Sequence, residues 1–368
     1  MAAAQQVQQG QQVTVQLGER SYAIHVGQNL LPSLGERMRA LGLGERVAIV
    51  TNPVVDGLYG ERVRAALQKA GFDAVTIQIP DGEEHKNLAW LAFVYEKLVE
   101  ARLERGSVLL ALGGGVVGDL TGFAAATYLR GIDLVQVPTT LVAQIDSAIG
   151  GKTGVDLAAG KNLIGAFKHP RLVLADTAVL ATLPPRQLRA GLAEVIKAGA
   201  ILSPEVIGFL EKEHARVLTL DPDAIQHLVY ACAQLKALVV SEDETESDYR
   251  AILNFGHTVG HAIETLTEYR SFLHGEAVAI GMGFALRLSV ERGLLRQQVA
   301  DRVLALLTLY GLPTDIPDDL SRAALALAVE ADKKRSQGRV KFVCLEDLGR
   351  TRFERLSTEE LQSALERA

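Results

Sequence analysis

Cysteine is nearly absent from this chain. Only Cys232 and Cys344 occur in 368 residues, each in an apolar stretch, which excludes a disulfide framework and fits a reducing cytoplasm. A basic surplus is missing too. With a net charge of -6, nothing in the chain asks for nucleic acid as a partner. Each apolar run is short or broken by glycine and charge, so no membrane association is expected. The opening MAAAQQVQQGQQ has neither a basic n-region nor an apolar core and is no signal peptide. Residues 1–12 read as a disordered lead-in. What the chain does hold is 48% hydrophobic residues over a length that suits two domains and a large core.

Three of the eight histidines fall within eighteen residues, in LNFGHTVGHAIETLTEYRSFLHGE. On a helix His257 and His261 share one face, one turn apart, and His274 opens the following helical stretch. A pair at this spacing is as often a half-buried polar stripe as a ligand pair; the third imidazole shifts the balance toward a transition metal, which then wants a carboxylate. Glu194 supplies one, set between Ala193 and Val195 in RQLRAGLAEVIKAGAI. A carboxylate in such surroundings needs a partner, either Lys197 at i+3 or a metal shared with the histidines.

Taken in order, VTVQLG and YAIHVG alternate around Gly18-Glu19-Arg20 and read as a hairpin. RVAIVT, DAVTIQIP, SVLLALGG, DLVQVP and RLVLAD are apolar runs separated by helical patterns, as in a parallel sheet covered on both faces. After Leu183-Pro184-Pro185 the pattern becomes helical, in runs from Arg186, Asp223, Ala251, Gly275, Gln297 and Ser321, with one late hairpin in VKFVCLEDLGRTRFERL. The expected fold is an α/β domain over 13–184 with a Rossmann-like parallel sheet, then a mainly α-helical domain over 185–368. The prolines mark a hinge, and the active site is expected in the cleft between the domains.

Gly113, Gly115 and Gly118 carry Gly-x-Gly-x-x-Gly spacing between strand and helix, where backbone amides take a pyrophosphate. The motif follows the third strand of the alternating set, and no acidic strand end comes twenty residues later, so a structural turn is the competing reading. DGEEHK at 81–86 and PTT at 138–140 lie at other carboxyl strand ends and favour a nucleotide site. Lys152, Lys161, Asn162 and Lys168 follow in glycine-rich sequence. Solvated lysines are the default; glycine around fixed cations points to an anion.

DGEEHK, GGGVVGD, PTT, DSxxGGKTGVD, GKNLIGAFxxP, AEVIK, LNFGHTxGHAIE, LHGEAV and DKK appear in this order over residues 81–334. Together they resemble the 3-dehydroquinate synthase family. Departures fall at packing positions: Cys344 stands where an aliphatic residue is usual, Val329 where Met is common, and the first dozen residues have no counterpart.

The resemblance implies an enzyme of the shikimate pathway that uses NAD and one divalent metal, zinc or cobalt. It implies Glu194, His257 and His274 as metal ligands and His261 for proton transfer. NAD contacts are implied for Asp81, Gly82, Glu83, Glu84, His85, Lys86, Gly115, Val116, Val117, Gly118, Asp119, Thr139, Thr140, Lys152, Lys161, Val179, Leu180, Ala181 and Thr182. Substrate contacts are implied for Arg130, Asp146, Lys152, Asn162, Lys197, Lys236, Arg250, Asn254 and Lys334 or its neighbour Lys333, with Glu246 among the catalytic set.

The implied substrate is 3-deoxy-D-arabino-heptulosonate 7-phosphate, whose C5 alcohol would be oxidised transiently before phosphate leaves, the carbonyl is reduced, and an intramolecular aldol step closes the ring of 3-dehydroquinate. Its phosphate and carboxylate account for a gathering of cations in an acidic chain. A homodimer is usual in the family. Competing expectations are another sugar phosphate cyclase, a polyol dehydrogenase of related fold, and an inactive binding scaffold.

Overall fold

The structure, a computed structural model, describes residues 10–158, 160–333 and 339–367. It forms two compact units. One comprises the residues up to Leu183 together with Ile225–Thr245, and the other Pro184–Ala224 together with the residues from Glu246.

In the first unit β1 (Gln11–Val15) and β2 (Tyr22–Gly27) make the expected antiparallel hairpin. β1 therefore starts inside the segment read as a lead-in, because Gln11 and Gln12 pair in register with Val26 and His25. Then come β3 (Arg46–Thr51), β4 (Asp73–Gln78), β5 (Val108–Gly113) and β6 (Asp133–Pro138), followed by a separate antiparallel ribbon of β7 (Lys152–Leu157) and β8 (Gly160–Phe167), and finally β9 (Leu172–Asp176). The seven-stranded sheet has the order β1-β2-β9-β6-β5-β3-β4. Its β3, β4, β5, β6 and β9 are all parallel. Val47 and Ile49 of β3 pack with Leu34 and Met38 on one face. Ala48 and Val50 pack with Leu91 and Val94 on the other. Burial on both faces explains why these strands read as unbroken apolar runs, and each large side chain so buried contributes about 1.5 to 3 kcal/mol.

Chain order and sheet order together locate the binding edge. From β3 the chain moves outward to β4, then returns to β5 on the other side, so the switch point lies between the carboxyl ends of β3 and β5. The glycine motif follows the third parallel strand because that strand borders the switch.

Two stretches differ from the sequence reading. The glycine-rich run with Lys152 and Lys161 is the β7–β8 ribbon and not an irregular cradle. Its glycines permit close approach: a Cβ on Gly154 would lie 2.6 Å from the Ile164 carbonyl oxygen, and one on Gly122, in the helix Gly115–Thr127, would lie 2.3 Å from Thr153 Cγ2. The helix Pro222–Glu242, expected with the second domain, instead gives its part from Ile225 onward to the first unit. Lys236 forms an ion pair with Asp146, Ser241 Oγ accepts the Gln16 N–H at 2.9 Å, and Glu244 is bonded to His169 at 2.8 Å. This helix is also long and apolar enough by length and composition to cross a membrane. The sequence reading found no such run, because Lys236 and Glu242 interrupt it.

The second unit contains the helices Pro185–Leu202, Pro204–Lys212, His214–Leu218, His257–Leu266, His274–Glu291, Gln297–Leu309, Arg322–Lys333 and Thr358–Arg367. The expected late hairpin is β10 (Arg339–Asp347) paired with β11 (Arg350–Ser357). The helical run expected from Ala251 is interrupted: Tyr249–Asn254 is a 3-10 turn, and Gly256 takes φ +79 before the helix begins at His257. A residue at Gly256 with a Cβ would meet Met282 Cγ at 2.6 Å, so conformation and packing both call for glycine.

Candidate active site

The second unit brings the proposed metal ligands together. Small residues let the helices approach, with Gly260 against Ala277 and Val278, Gly281 against Gly256, and Gly275 against Ala190. These contacts carry His257, His274 and Glu194 inward from three helices. His257 Nε2 and His274 Nε2 each lie 3.6 Å from Glu194 Oε1, and one donor atom from each of the three residues falls within a 4.8 Å cluster. A four-coordinate ion with bonds of about 2.1 Å has ligand-to-ligand edges of about 3.4 Å. The donor set fits.

Protonation supports the same arrangement. His257 Nδ1 faces the Phe255 carbonyl oxygen at 3.2 Å, an acceptor that requires a proton on that nitrogen. Nε2 is left with the lone pair, directed at Glu194. Burial first, then the ammonium of Lys197, hold His257 well below its usual range, so the ring is neutral, the form that can bind a metal. Glu194 is 2% exposed, and neither carboxylate oxygen has a hydrogen bond among the described residues. Its Oε2 forms an ion pair with Lys197. Of the two partners weighed from sequence, Lys197 is present on Oε2, and the imidazoles that would share a metal face Oε1. His261 stands beside the cluster, its ring centroid 5.3 Å from that of His257 and 6.0 Å from that of His274.

Glu246, Arg250 and Asn254 belong to the same unit. Glu246 is half-buried and accepts a hydrogen bond from Asn254 Nδ2 at 2.8 Å. Arg250 is 1% exposed, and a guanidinium so buried is costly unless it is paired. Lys334 lies outside the described residues.

In the first unit the candidate nucleotide residues gather on the carboxyl edge of the sheet. Gly113 ends β5, the helix starts at Gly115, and Val116, Val117, Gly118 and Asp119 form its first turns. Thr139 N–H donates to the Gly113 carbonyl at 2.9 Å, and Thr140 Oγ1 accepts from the Ala143 N–H at 3.2 Å. Lys86 is buried among carboxylates, 2.9 Å from Glu83, 3.4 Å from Asp119 and 3.7 Å from Asp156. Lys161 reaches Glu83 at 3.3 Å. Burial outweighs Lys86 at Asp119 and raises its carboxyl to about 6, while Asp119 leads the carboxylates that hold Lys86 firmly protonated against its own burial. Asp81 is held by Asn52 Nδ2 at 2.9 Å, Gly82 takes φ +117 ahead of the short turn Glu83–His85, and Glu84 sits 3.7 Å from His85. Val179, Leu180, Ala181 and Thr182 lie in the 3-10 turn Thr177–Thr182, braced by Tyr59 through the Val179 carbonyl at 2.8 Å. Of the anion candidates in this unit, Lys236 and Asp146 are paired, Lys152 and Asn162 sit exposed on the β7–β8 ribbon, and Arg130 is exposed after Leu129 in a turn where both take positive φ.

The sequence reading missed three residues. Asn52 caps the turn after β3 and holds Asp81. Asp156 completes the Lys86 cluster and accepts the Asn162 N–H at 2.7 Å. Glu264 contacts His274. All carry a sequence signal, namely a lone polar residue at a strand end or within an apolar helical face.

Residues 76–190 match the model for the 3-dehydroquinate synthase N-terminal region, and residues 191–335 match that for the C-terminal region. The chain belongs to the 3-dehydroquinate synthase family. A 3-dehydroquinate synthase of Pelobacter propionicus is 51% identical over 349 residues, covering 95% of this chain and 97% of that protein. One of Thermodesulfovibrio yellowstonii is 43% identical, covering 96% and 99%. Among solved structures, a 2-deoxy-scyllo-inosose synthase complexed with carbaglucose-6-phosphate, NAD+ and Co2+ superposes with a TM-score of 0.89 at 27% identity, over 97% of this chain and 100% of that one. A 2-epi-5-epi-valiolone synthase from Streptomyces hygroscopicus with NAD+ and Zn2+ gives 0.87 at 30%, over 96% and 98%. A probable glycerol dehydrogenase from Sinorhizobium meliloti, at 16% identity and a TM-score of 0.67, shares the fold. For this member of the 3-dehydroquinate synthase family, the polyol-dehydrogenase expectation reduces to that shared fold.

Proposed function

We propose that the chain converts 3-deoxy-D-arabino-heptulosonate 7-phosphate to 3-dehydroquinate and phosphate. The observation that carries the reading is the convergence of Glu194, His257 and His274 in a chain half identical to synthases of that name. Glu194, His257 and His274 hold one divalent ion, zinc or cobalt. NAD is held by Asp81 to Lys86, Gly115 to Asp119, Thr139, Thr140, Lys152, Lys161 and Val179 to Thr182. When bound, the ion polarises a substrate alcohol and NAD takes and returns its hydride, so no net redox change results.

The chain's own residues supply orientation, charge and a proton path. Lys152, Lys197, Lys236, Arg130 and Arg250 meet the phosphate and carboxylate, with Asp146, Asn162, Asn254 and one lysine of the Lys333-Lys334 pair on the remaining polar groups. Their number is what a doubly anionic acid requires. His261 Nε2 or Nδ1 carries the proton to and from the sugar, and Glu246, fixed by Asn254, accepts one during ring closure. The enzyme acts in the cytoplasm as a homodimer.

The structural likeness to the 2-epi-5-epi-valiolone synthase favours one competing substrate class, and the test includes it. Phosphate release is measured with the heptulosonate phosphate and catalytic NAD, before and after chelation with metal add-back, and separately with sedoheptulose 7-phosphate. Release that depends on metal, accumulates no NADH and fails with sedoheptulose 7-phosphate is expected. Turnover of sedoheptulose 7-phosphate alone would assign the chain to another cyclase.

A further inference from the structure

We infer that Glu264 is a positioning residue that fixes the proton of His274 on Nδ1 and so presents His274 Nε2 to the metal; this rests on the metal site of the proposed function. Glu264 lies on the helix His257–Leu266, three residues past His261 and seven past His257, so the three share one stripe. Its side chain is 3% exposed, and both carboxylate oxygens lie 3.3 Å from His274 Nδ1.

An ionised carboxylate accepts only, and burying it is costly without a donor facing it. Against such a group, an unprotonated Nδ1 would set lone pair against lone pair. Nδ1 therefore carries the hydrogen, and the lone pair is forced onto Nε2, the atom 3.6 Å from Glu194 Oε1. His257 reaches the same tautomer by a different route, through the Phe255 carbonyl. The unequal acceptors have unequal consequences: a carboxylate increases the basicity of the imidazole it binds more than a carbonyl does, so His274 is the stronger donor to the ion. The side chain of His274 is also the more exposed of the two, 36% against 12%. It opens its helix, and a more exposed ring gains more from a fixed acceptor behind it.

The second possibility at this place is that His261, Glu264 and His274, which also offer donor atoms within 4.8 Å of one another, bind an ion of their own. The geometry points away from it, because His274 would then need both ring nitrogens bare.

The test uses cobalt(II) alone, without substrate or NAD, so its result does not depend on which phosphate the enzyme turns over. Metal affinity by chelator competition is measured for the full chain and for Glu264→Gln, Glu264→Asp and Glu264→Ala, with thermal unfolding of each metal-free protein as the folding control. Affinity is expected to fall about 10- to 100-fold in Glu264→Ala and less in Glu264→Gln, which keeps an acceptor. In 15N-histidine spectra of the metal-free protein, the His274 ring is expected to leave the Nδ1-H tautomer in Glu264→Ala while His257 keeps it. Unchanged affinity and tautomer in a folded Glu264→Ala protein would overturn the proposal. So would two equivalents of cobalt per wild-type chain with one lost in the variant, which would make Glu264 a ligand.

Discussion

Gly275 lies so close to Ala190 that a Cβ built on it would sit 1.8 Å from the Ala190 carbonyl oxygen. The contact joins the helix bearing His274 to the helix bearing Glu194, and backbone cannot swing aside as a side-chain tip can. Gly275→Ala is expected to cost about 3 kcal/mol of stability through overpacking and to weaken metal binding, because the two ligands separate. Chemical denaturation paired with metal titration checks both, and a variant of unchanged metal affinity would show that the crossing does not set the site.

Removing a ligand should act first on the metal. His257→Ala and Glu194→Gln are expected to purify with little bound zinc and to lose phosphate release by at least about 100-fold, without rescue at ordinary added metal. Metal content by mass spectrometry, beside the rate, separates this outcome from a purely catalytic defect.

Lys86 neutralises a pocket of buried acid. In Lys86→Met, Glu83 keeps Lys161 while Asp119 loses its cation, with an expected loss of about 3 kcal/mol near pH 8. Asp119 already protonates at about 6 with Lys86 present, and higher without it. Protonation removes the unpaired charge, so the loss should shrink as pH falls through 6. Denaturant midpoints at pH 8 and pH 5.5 measure the difference; equal losses would contradict it.

His25 titrates in the opposite sense to a salt-bridged histidine. Burial, then the Arg37 guanidinium, which donates to its Nδ1 at 2.9 Å, lower it to about 4. The unfolded chain takes up this proton near 6.5 and the folded protein only near 4. Stability is therefore intact above 6.5 and falls as pH drops toward 4, by about 1 to 2 kcal/mol after allowing for solvent screening. His25→Gln keeps an acceptor for Arg37 and should flatten that part of the pH profile in thermal unfolding.

Leu129 has φ +50 and an exposed side chain, so it carries backbone strain with little packing in return. Leu129→Gly is expected to be neutral or to stabilise by about 0.5 to 1 kcal/mol, where leucine to glycine ordinarily destabilises. Calorimetric melting decides it.

The readable parts of the sequence were those in which one local period implies one burial. Val47 to Val50 announce a strand covered on both faces, and His257, His261 and Glu194 announce a polar cluster on apolar helices. Glycine was less readable, because its single letter serves opposite purposes. Gly154 looked like slack around Lys152 but allows tight packing of a ribbon, and Gly256 delays to His257 the start of a helix whose period reads back through it. Glu264 stood in view on the histidine stripe; only its distance to His274, ten residues further on, gives it a role. The period of Ile225 to Glu242 correctly implied a helix, yet a helix pattern does not say which core it joins.

Because Ile225–Thr245 belongs with the first unit while both of its flanks belong with the second, the polypeptide passes from one to the other three times. No single cut yields two intact halves. A fragment ending at Leu183 would leave Asp146 facing the gap where Lys236 belongs and His169 without Glu244. Splitting the gene into independently folding pieces would require moving that helix to the end of the first piece, so each unit can be completed only when its neighbour's sequence has also been made.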